Sequence, residues 1–191
     1  MKTKQTTGNR ATQEKILDVA AELFVENGYP GTPLSLIASK LEFTKAALYY
    51  HFKSKADILT GILYPLLDEI DELLKETPGC FPNAEERWEF MLAYSQLLLS
   101  NPRAVAVLAS GASQAWMPEE ILKRIQLHAE RTTELAMLPG LSEEEQVRAM
   151  LLMDMMHREI VFQKGRSVVN GMAPERRREI VYDFIRESLG S

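Results

Sequence analysis

Residues 44–55 read TKAALYYHFKSK, and this stretch decides the fold of the first part of the chain. Thr44 is suited to cap a helix of about Lys45–Phe52, because its hydroxyl can accept a hydrogen bond from the first turn. On a 3.6-residue period Leu48 and Phe52 share one face, which we expect to be buried. The residues predicted to lie on the opposite face, open to solvent or to a partner, are Ala46, Tyr49, Tyr50 and Lys53.

Two helices are predicted before this one. The first runs from about Ala11 to Asn27, and Gly28 is suited to the left-handed conformation that ends a helix. Thr32 is the predicted N-cap of the second, which has Pro33 in its first turn. The two short helices are joined by a tight turn and packed under the first. This arrangement predicts a helix-turn-helix unit whose last helix fits the DNA major groove.

The outward aromatic face is open to two interpretations. Residues 1–55 hold eight Lys and Arg against five Asp and Glu, whereas the whole chain has a net charge of -5. A basic segment on an acidic body favours contact with phosphate, and the N–H groups at the start of the third helix suit the same ligand. The alternative is a surface helix whose tyrosines pack on a neighbouring helix or on another protein.

Residues 11–59 resemble the DNA-binding domain of the TetR (tetracycline-repressor) family of bacterial transcriptional regulators. The shared patterns are AAELF, GYPGT, the IA of the second helix and LYYHFKSK. The resemblance implies that operator phosphates are held by Thr32, Thr44, Lys45, Tyr49, His51 and Lys55. It also implies that the residues facing bases are Ala46, Ala47 and Tyr50.

Two positions depart from the family pattern. Glu42 stands where the family usually has glycine, which predicts a turn with a side chain in the left-handed conformation at a cost of about 1 kcal/mol or more. Ser35 stands where arginine is frequent, which removes one DNA contact. With alanine at positions 46 and 47, we expect sparse direct readout through Tyr50 and an apolar contact with a thymine methyl group.

Apolar residues three and four apart recur to the end of the chain, which predicts an all-α protein of about nine helices. The resemblance implies a DNA-binding domain of residues 1–55 and a ligand-binding and dimerisation domain of residues 56–191. Large, adaptable side chains in the second domain predict a pocket for a small, largely apolar effector, although each alone is more typical of ordinary core. They are Tyr64, Trp88, Met91, Tyr94, Trp116, Met117, Met153, Met156, His157 and Phe162.

Two histidines of the second domain need separate interpretations. His157 follows Asp154 by one helical turn, but two ligands without a cysteine or a further nearby histidine do not make a zinc pattern. We therefore predict no metal site, and we interpret His157 as a polar pocket group or as hydrogen-bonded core. His128 lies on a highly charged helix and is predicted to face solvent.

The last two predicted helices carry apolar stripes typical of a subunit interface. Two such helices from each subunit would form a four-helix interface, as the resemblance implies, and a two-fold homodimer would read a palindromic operator. The predicted interface residues are Val147, Met150, Leu151, Val161, Val181, Phe184 and Ile185.

Several classes of protein are disfavoured by the sequence. Cys80 is the single cysteine, which excludes an intrachain disulfide and fits a reducing, cytoplasmic location. No apolar run reaches the roughly 18 residues that a membrane span needs. Without a nucleophile motif or a glycine-rich phosphate loop, we expect no enzyme and no cofactor. We predict a regulator, most simply a repressor, whose partners are double-stranded operator DNA, a small-molecule effector and a second copy of the chain. The alternative is a helical protein-interaction module.

Overall fold

The computed structural model describes residues 3–79, 81, 83–110 and 117–136, and single residues between 142 and 187. Across these residues the regular structure is helical throughout, which confirms the all-α prediction. The last two of the nine predicted helices fall mainly outside the described residues. The helices are α1 Thr3–Asn27, α2 Leu34–Lys40, α3 Lys45–His51, α4 Lys55–Glu76, α5 Ala84–Ser100, α6 Pro102–Ala109 and α7 Glu119–Ala136.

The chain divides into two compact units. The first unit comprises Met1–Leu67 and Asn101–Lys123, and the second comprises Asp68–Ser100 and Arg124–Ser191. Helices α4 and α7 each contribute residues to both units. The functional boundary between residues 55 and 56 stays a prediction.

Helix α1 begins at Thr3 rather than near Ala11. The early start is absent from the sequence pattern because residues 3–10 are polar and lack helical apolar spacing. The predicted buried stripe is confirmed by Ile16, Ala20 and Phe24, each at most 1% exposed. After the helix ends, Gly28 takes a φ of 73°, so the expected left-handed residue is present.

The start of α2 differs from the prediction by one residue. Pro33, in extended conformation, occupies the N-cap position, and the N–H of Leu36 donates to its carbonyl at 2.9 Å. Thr32 is fully buried, and its hydroxyl lies 3.0 Å from the carbonyl oxygen of Leu23 and 2.9 Å from that of Gly28. The prediction that Thr32 is the N-cap is therefore wrong, because its hydroxyl bonds to carbonyl oxygens at the end of α1 and not to the first turn of α2.

The turn between α2 and α3 confirms the conformation expected at Glu42, whose φ is 57°. Its N–H donates to the Ser39 carbonyl at 3.1 Å, and the Phe43 N–H donates to the Ala38 carbonyl at 2.8 Å. These two bonds form a Schellman motif, which satisfies carbonyls left over at the end of α2. The motif requires a left-handed residue at the position of Glu42, and here that residue is not glycine.

Helices α4 and α6 support α1 within the first unit. A Cβ added to Gly61 would meet a Leu17 methyl carbon at 3.0 Å, so glycine lets this part of α4 approach the side chain of Leu17 closely. Helix α6 packs on α1, and Arg103 donates to Glu14 and Asp18, each at 2.9 Å. These contacts hold α1, on which α2 in turn packs.

Candidate nucleic-acid interface

Helix α3 is fixed at its start and along its inner face. The Thr44 hydroxyl accepts a hydrogen bond from the Ala47 N–H at 3.1 Å, which confirms the predicted N-cap. Leu48 is 1% exposed, and Phe52, the C-cap, is partly buried. The helix is therefore anchored by one cap and one buried side chain, and the side that carries Ala46, Tyr49 and Tyr50 remains open.

The outward face of α3 carries two exposed tyrosines. Tyr50 is 79% exposed and Tyr49 is 51% exposed, and Ala46 also lies at the surface. The ring of His51 packs edge-to-face with that of Tyr50 at a centroid distance of 5.2 Å. We call Ala46, Tyr49 and Tyr50 the α3 face. Exposed hydroxyls and flat rings of this kind can reach base edges and phosphates in a groove.

A depression of about 340 Å³ lies beside the α3 face, between the starts of α2, α3 and α4. Two lysines stand among its lining residues, so its electrostatic character suits an anion. The start of α3 adds N–H groups of the kind that bind phosphate at helix N-termini. The lining residues are Pro33, Leu34, Ser35, Lys45, Leu48, Tyr49 and Lys55.

The two lysines of the depression are held differently. Lys55 donates from Nζ to the Tyr29 carbonyl at 2.6 Å and lies 4.3 Å from the centroid of the Tyr29 ring. Burial lowers the pKa of Lys55. Lys45 is exposed. Lys55 therefore ties the start of α4 to the loop before α2, and Lys45 is free to extend toward solvent.

Sequence reasoning missed the contribution of Asp57. Its Oδ2 accepts hydrogen bonds from the N–H groups of Lys53 and Ser54, both at 3.1 Å, and the Ser54 hydroxyl accepts from the Asp57 N–H at 3.0 Å. This reciprocal pair is a capping box, and the SKAD spacing of residues 54–57 would have revealed it. It fixes the short link between α3 and α4.

The structure places the nine predicted DNA-binding residues unequally. Thr44, Lys45 and the α3 face are exposed, whereas Ala47, His51 and Lys55 are partly buried. Thr32 is the exception, because its buried hydroxyl is already committed to two carbonyl oxygens. Its role toward phosphate stays a prediction from the resemblance.

The predicted effector-site residues are only partly within the described structure. Trp88, Met91 and Tyr94 share α5 in the second unit, where Met91 is 4% exposed. Tyr64 and Met117 belong to the first unit. The structure therefore brings three of these residues together on one helix. Those that lie outside the described residues are Trp116, Met153, Met156, His157 and Phe162.

His128 is buried, which contradicts its predicted solvent-facing position. Its residue surface is 4% exposed, and its Nε2 is hydrogen-bonded to Oδ1 of Asp71 on α4. The prediction was wrong because it weighed the charged composition of α7 and not its spacing. His128 lies seven residues from both Ile121 and Leu135, which are also buried, so it belongs to the inner stripe of the helix.

A charged cluster surrounds the Asp71 carboxylate. Arg124 donates from Nε to Asp71 at 2.9 Å and from Nη2 to Asp68 at 2.6 Å. Burial raises the pKa of Asp71, but hydrogen bonds and charge from His128 and Arg124 outweigh it and lower the pKa below its ordinary value. Burial lowers the pKa of Arg124, and the two aspartates overcome this and raise it. The cluster therefore favours the ionised forms of Asp71 and Arg124, and it joins α4 to α7 within the second unit.

Four of the predicted interface residues are described, and all four are exposed in the single chain. Val147, Met150, Leu151 and Phe184 have exposures of 56%, 58%, 64% and 54%. Val161, Val181 and Ile185 lie outside the described residues. Exposed apolar side chains are what a subunit interface would cover.

The described part of the chain has neither a candidate membrane span nor a candidate metal site. None of its helices is long and apolar enough to cross a bilayer. Among the same residues, no group of three or more His, Cys, Asp and Glu side chains is arranged to hold a metal ion.

The fold and the α3 face define a helix-turn-helix protein. The family model described as "Bacterial regulatory proteins, tetR family" matches residues 16–62. The HTH-type transcriptional regulator AcrR of Shigella flexneri is 40% identical over 81 residues, 42% of this chain and 37% of the relative. The biofilm operon icaADBC negative regulator IcaR of Staphylococcus aureus is 52% identical over 62 residues, 32% of this chain and 33% of the relative.

Residues 16–62 therefore match the DNA-binding segment of the TetR family of bacterial transcriptional regulators. The chain spans 37% and 33% of the length of these two relatives, so their full activities are not transferred to it. The similarity of fold covers more of the chain than these sequence matches do. The structure of AibR in complex with isovaleryl coenzyme A and operator DNA has a TM-score of 0.57 at 17% identity, covering 91% of this chain and 95% of that chain.

Proposed function

We propose that this protein is a cytoplasmic repressor that binds a palindromic operator as a homodimer and is released by a small, largely apolar effector. One observation carries the DNA-binding part of the proposal. The exposed α3 face lies directly beside a depression lined by Lys45 and Lys55. A readout surface next to an anion site is the combination that DNA recognition needs, because phosphate contacts position a protein and base contacts specify its site.

The roles of individual residues follow from their exposure. Lys45, exposed at the start of α3, is positioned to meet phosphate. Tyr50, the most exposed residue of the α3 face, is positioned to reach base edges, with Ala46 beside it for a thymine methyl group. Lys55 supports the same depression from within, through its bond to the Tyr29 carbonyl.

Effector control is supported by the continuity of α4. This helix starts at Lys55, immediately after the link that follows α3, and its residues enter the second unit from Asp68 onward. An effector that favours another arrangement of α4 would change the spacing of two recognition helices from the roughly 34 Å of one DNA turn. A tenfold loss of DNA affinity needs a preference of only about 1.4 kcal/mol. AibR is a precedent for effector and operator binding on this fold.

The experiment that tests DNA binding starts with selection of duplexes from a random library by the full chain. Operator affinity is then measured by gel shift between about 50 and 200 mM salt, and it should fall steeply because bound phosphates release counterions. The protein-interaction alternative predicts no selected duplex and a partner affinity that changes little with salt. Failure to enrich any duplex would reject the proposed function.

The homodimer is tested through Phe184, an exposed apolar residue of the predicted interface. Phe184→Asp should produce monomers in light scattering, because an aspartate would be buried unpaired against the second subunit. Leu127→Asp is the matched control, since Leu127 is 62% exposed on α7 and outside the predicted interface. A dimeric Phe184→Asp variant would show that the subunits meet elsewhere.

A further inference from the structure

His128 is a buried imidazole with one nitrogen in use and one unpartnered. Its Nε2 faces the Asp71 carboxylate, whereas its buried Nδ1 has no hydrogen-bond partner in the described structure. An ionised carboxylate only accepts hydrogen bonds, so Nε2 must carry the hydrogen. Leaving a buried polar atom unsatisfied is costly, which makes Nδ1 a site that favours an incoming polar group.

Thr132, one helical turn after His128, connects this histidine to aromatic side chains of the second unit. The Thr132 hydroxyl donates to the His128 carbonyl at 2.7 Å, and it is hydrogen-bonded to the hydroxyl of Tyr94. The ring of Tyr94 stacks on Phe90 at 6.3 Å, and Phe90 packs on Phe81 at 5.4 Å. Both phenylalanines are buried. A row of aromatic side chains is therefore linked, through Tyr94 and Thr132, to the backbone of His128.

The chemistry of Nδ1 selects one class of polar group. If the imidazole is neutral, Nδ1 accepts a hydrogen bond, and if it is protonated, Nδ1 donates one. A hydroxyl group satisfies both cases, because it is a donor and an acceptor. A flat ring matches the neighbouring aromatic side chains, which pack best against other rings in offset or edge-on geometry.

We propose that the interior of the second unit binds an aromatic alcohol, with its hydroxyl on Nδ1 of His128 and its ring against the aromatic side chains of α5. The inference deepens the effector part of the proposed function and rests on it. The Asp71 carboxylate is a positioning group, because it fixes the imidazole ring and leaves Nδ1 for the ligand. Arg124 holds that carboxylate in turn.

The test uses 2-naphthol and 2-methylnaphthalene, two probes of similar size that differ in the hydroxyl group. Equilibrium dialysis of the full chain without DNA should show 2-naphthol bound at least about tenfold more tightly, as expected for one buried hydrogen bond. In His128→Gln the amide N–H can still donate to Asp71, but no atom replaces Nδ1. The preference for 2-naphthol should therefore fall to about onefold in that variant.

Gln126→Ala is the matched control, because Gln126 is exposed on the same helix. It should keep the preference of the unmodified chain. Equal affinity of the unmodified chain for both probes, or no binding of either, would overturn the site, as would an unchanged preference in His128→Gln. If a variant fails to fold, the comparison of the two probes on the unmodified chain still tests the proposal. Operator binding is measured separately, so loss of this site leaves the DNA-binding proposal standing, and the reverse also holds.

Discussion

The α3 face and the cluster around His128 present their polar groups in opposite ways. Tyr50 is 79% exposed and its ring packs against that of the neighbouring His51, whereas His128 is 4% exposed and is hydrogen-bonded to Asp71 on another helix. An exposed side chain that contacts only a binding partner contributes little to the free energy of unfolding. A buried polar group costs stability wherever it is left unpaired, so the partners of such a group affect folding as well as binding. Substitutions in the two regions should therefore separate affinity from stability.

The largest effect is expected from Leu48, the buried support beneath the α3 face. Leu48→Ala should reduce the free energy of unfolding by about 2–5 kcal/mol, because it leaves a cavity at a site that is 1% exposed. Urea denaturation measures the change. Tyr49→Ala, on the exposed side of the same helix, should change stability by only about 0.5 kcal/mol. Equal losses in the two variants would mean that the α3 face is itself part of the core.

The next effect concerns binding and not folding. Tyr50→Ala should weaken binding to the selected operator by about 1–3 kcal/mol and leave binding to unrelated duplexes unchanged. Lys45→Ala should weaken both alike and reduce the salt slope by about one unit, as expected for a phosphate contact. Gel-shift titrations at several salt concentrations distinguish the two patterns. If neither variant binds operator differently from the unmodified chain, the α3 face is not the recognition surface.

Lys55 should behave differently from Lys45, although the resemblance gives both a phosphate role. Lys55→Ala removes the bond to the Tyr29 carbonyl and the cation–π contact with its ring. We therefore expect a loss of stability in addition to the loss of DNA affinity. A Lys55→Ala variant that unfolds at the same urea concentration as the unmodified chain would contradict the positioning role.

The α3 helix could be predicted because its determinants are local. Thr44 and Leu48 act within one or two turns of the same helix, and Gly28 directly follows the end of α1, whereas the left-handed conformation of Glu42 was expected from the resemblance. The all-α class could also be predicted locally, because apolar residues spaced three and four apart indicate helices. These features needed no knowledge of how the chain folds back on itself.

The remaining features depend on partners distant in sequence. His128 and Asp71 are 57 residues apart, and the hydroxyl of Thr32 bonds to a carbonyl nine residues earlier. The spacing of α7 could have placed His128 on its inner stripe, but the bond from His128 to Asp71 depends on tertiary packing. In the same way, Thr32 looks like a cap until the loop is seen to fold against α1.

A smaller effect, dependent on pH, is expected from Asp71. Its pKa is lowered in the folded chain, so its contribution is present above the ordinary value of 3.8 and is lost as the pH falls through the folded value. Asp71→Asn should therefore lower stability at pH 7 by about 1 kcal/mol, a modest figure because the carboxylate is partly exposed. The gap between variant and unmodified chain should narrow at pH 3.

Glu72→Gln is the control for Asp71→Asn, because Glu72 is the next residue on α4 and is largely exposed. Its stability difference from the unmodified chain should be small at both pH values. Urea denaturation at pH 7 and pH 3 measures all three proteins. A gap for Asp71→Asn that is as wide at pH 3 as at pH 7 would show that the contacts of its ionised form do not stabilise the second unit.

The smallest effect is expected at Glu42, where the turn of the recognition unit uses a residue that is not glycine. Its φ of 57° crowds the Cβ atom against the backbone, and glycine removes that strain while giving the unfolded chain more freedom. Glu42→Gly should therefore raise the free energy of unfolding by about 0.5–1 kcal/mol. Glu42→Ala keeps the Cβ atom and should give no such gain. Because both changes remove the carboxylate, the difference between these two variants isolates the backbone strain from the charge. If glycine proves no more stable than alanine in urea denaturation, the Schellman turn is unstrained, and the departure at Glu42 concerns charge near the DNA and not conformation.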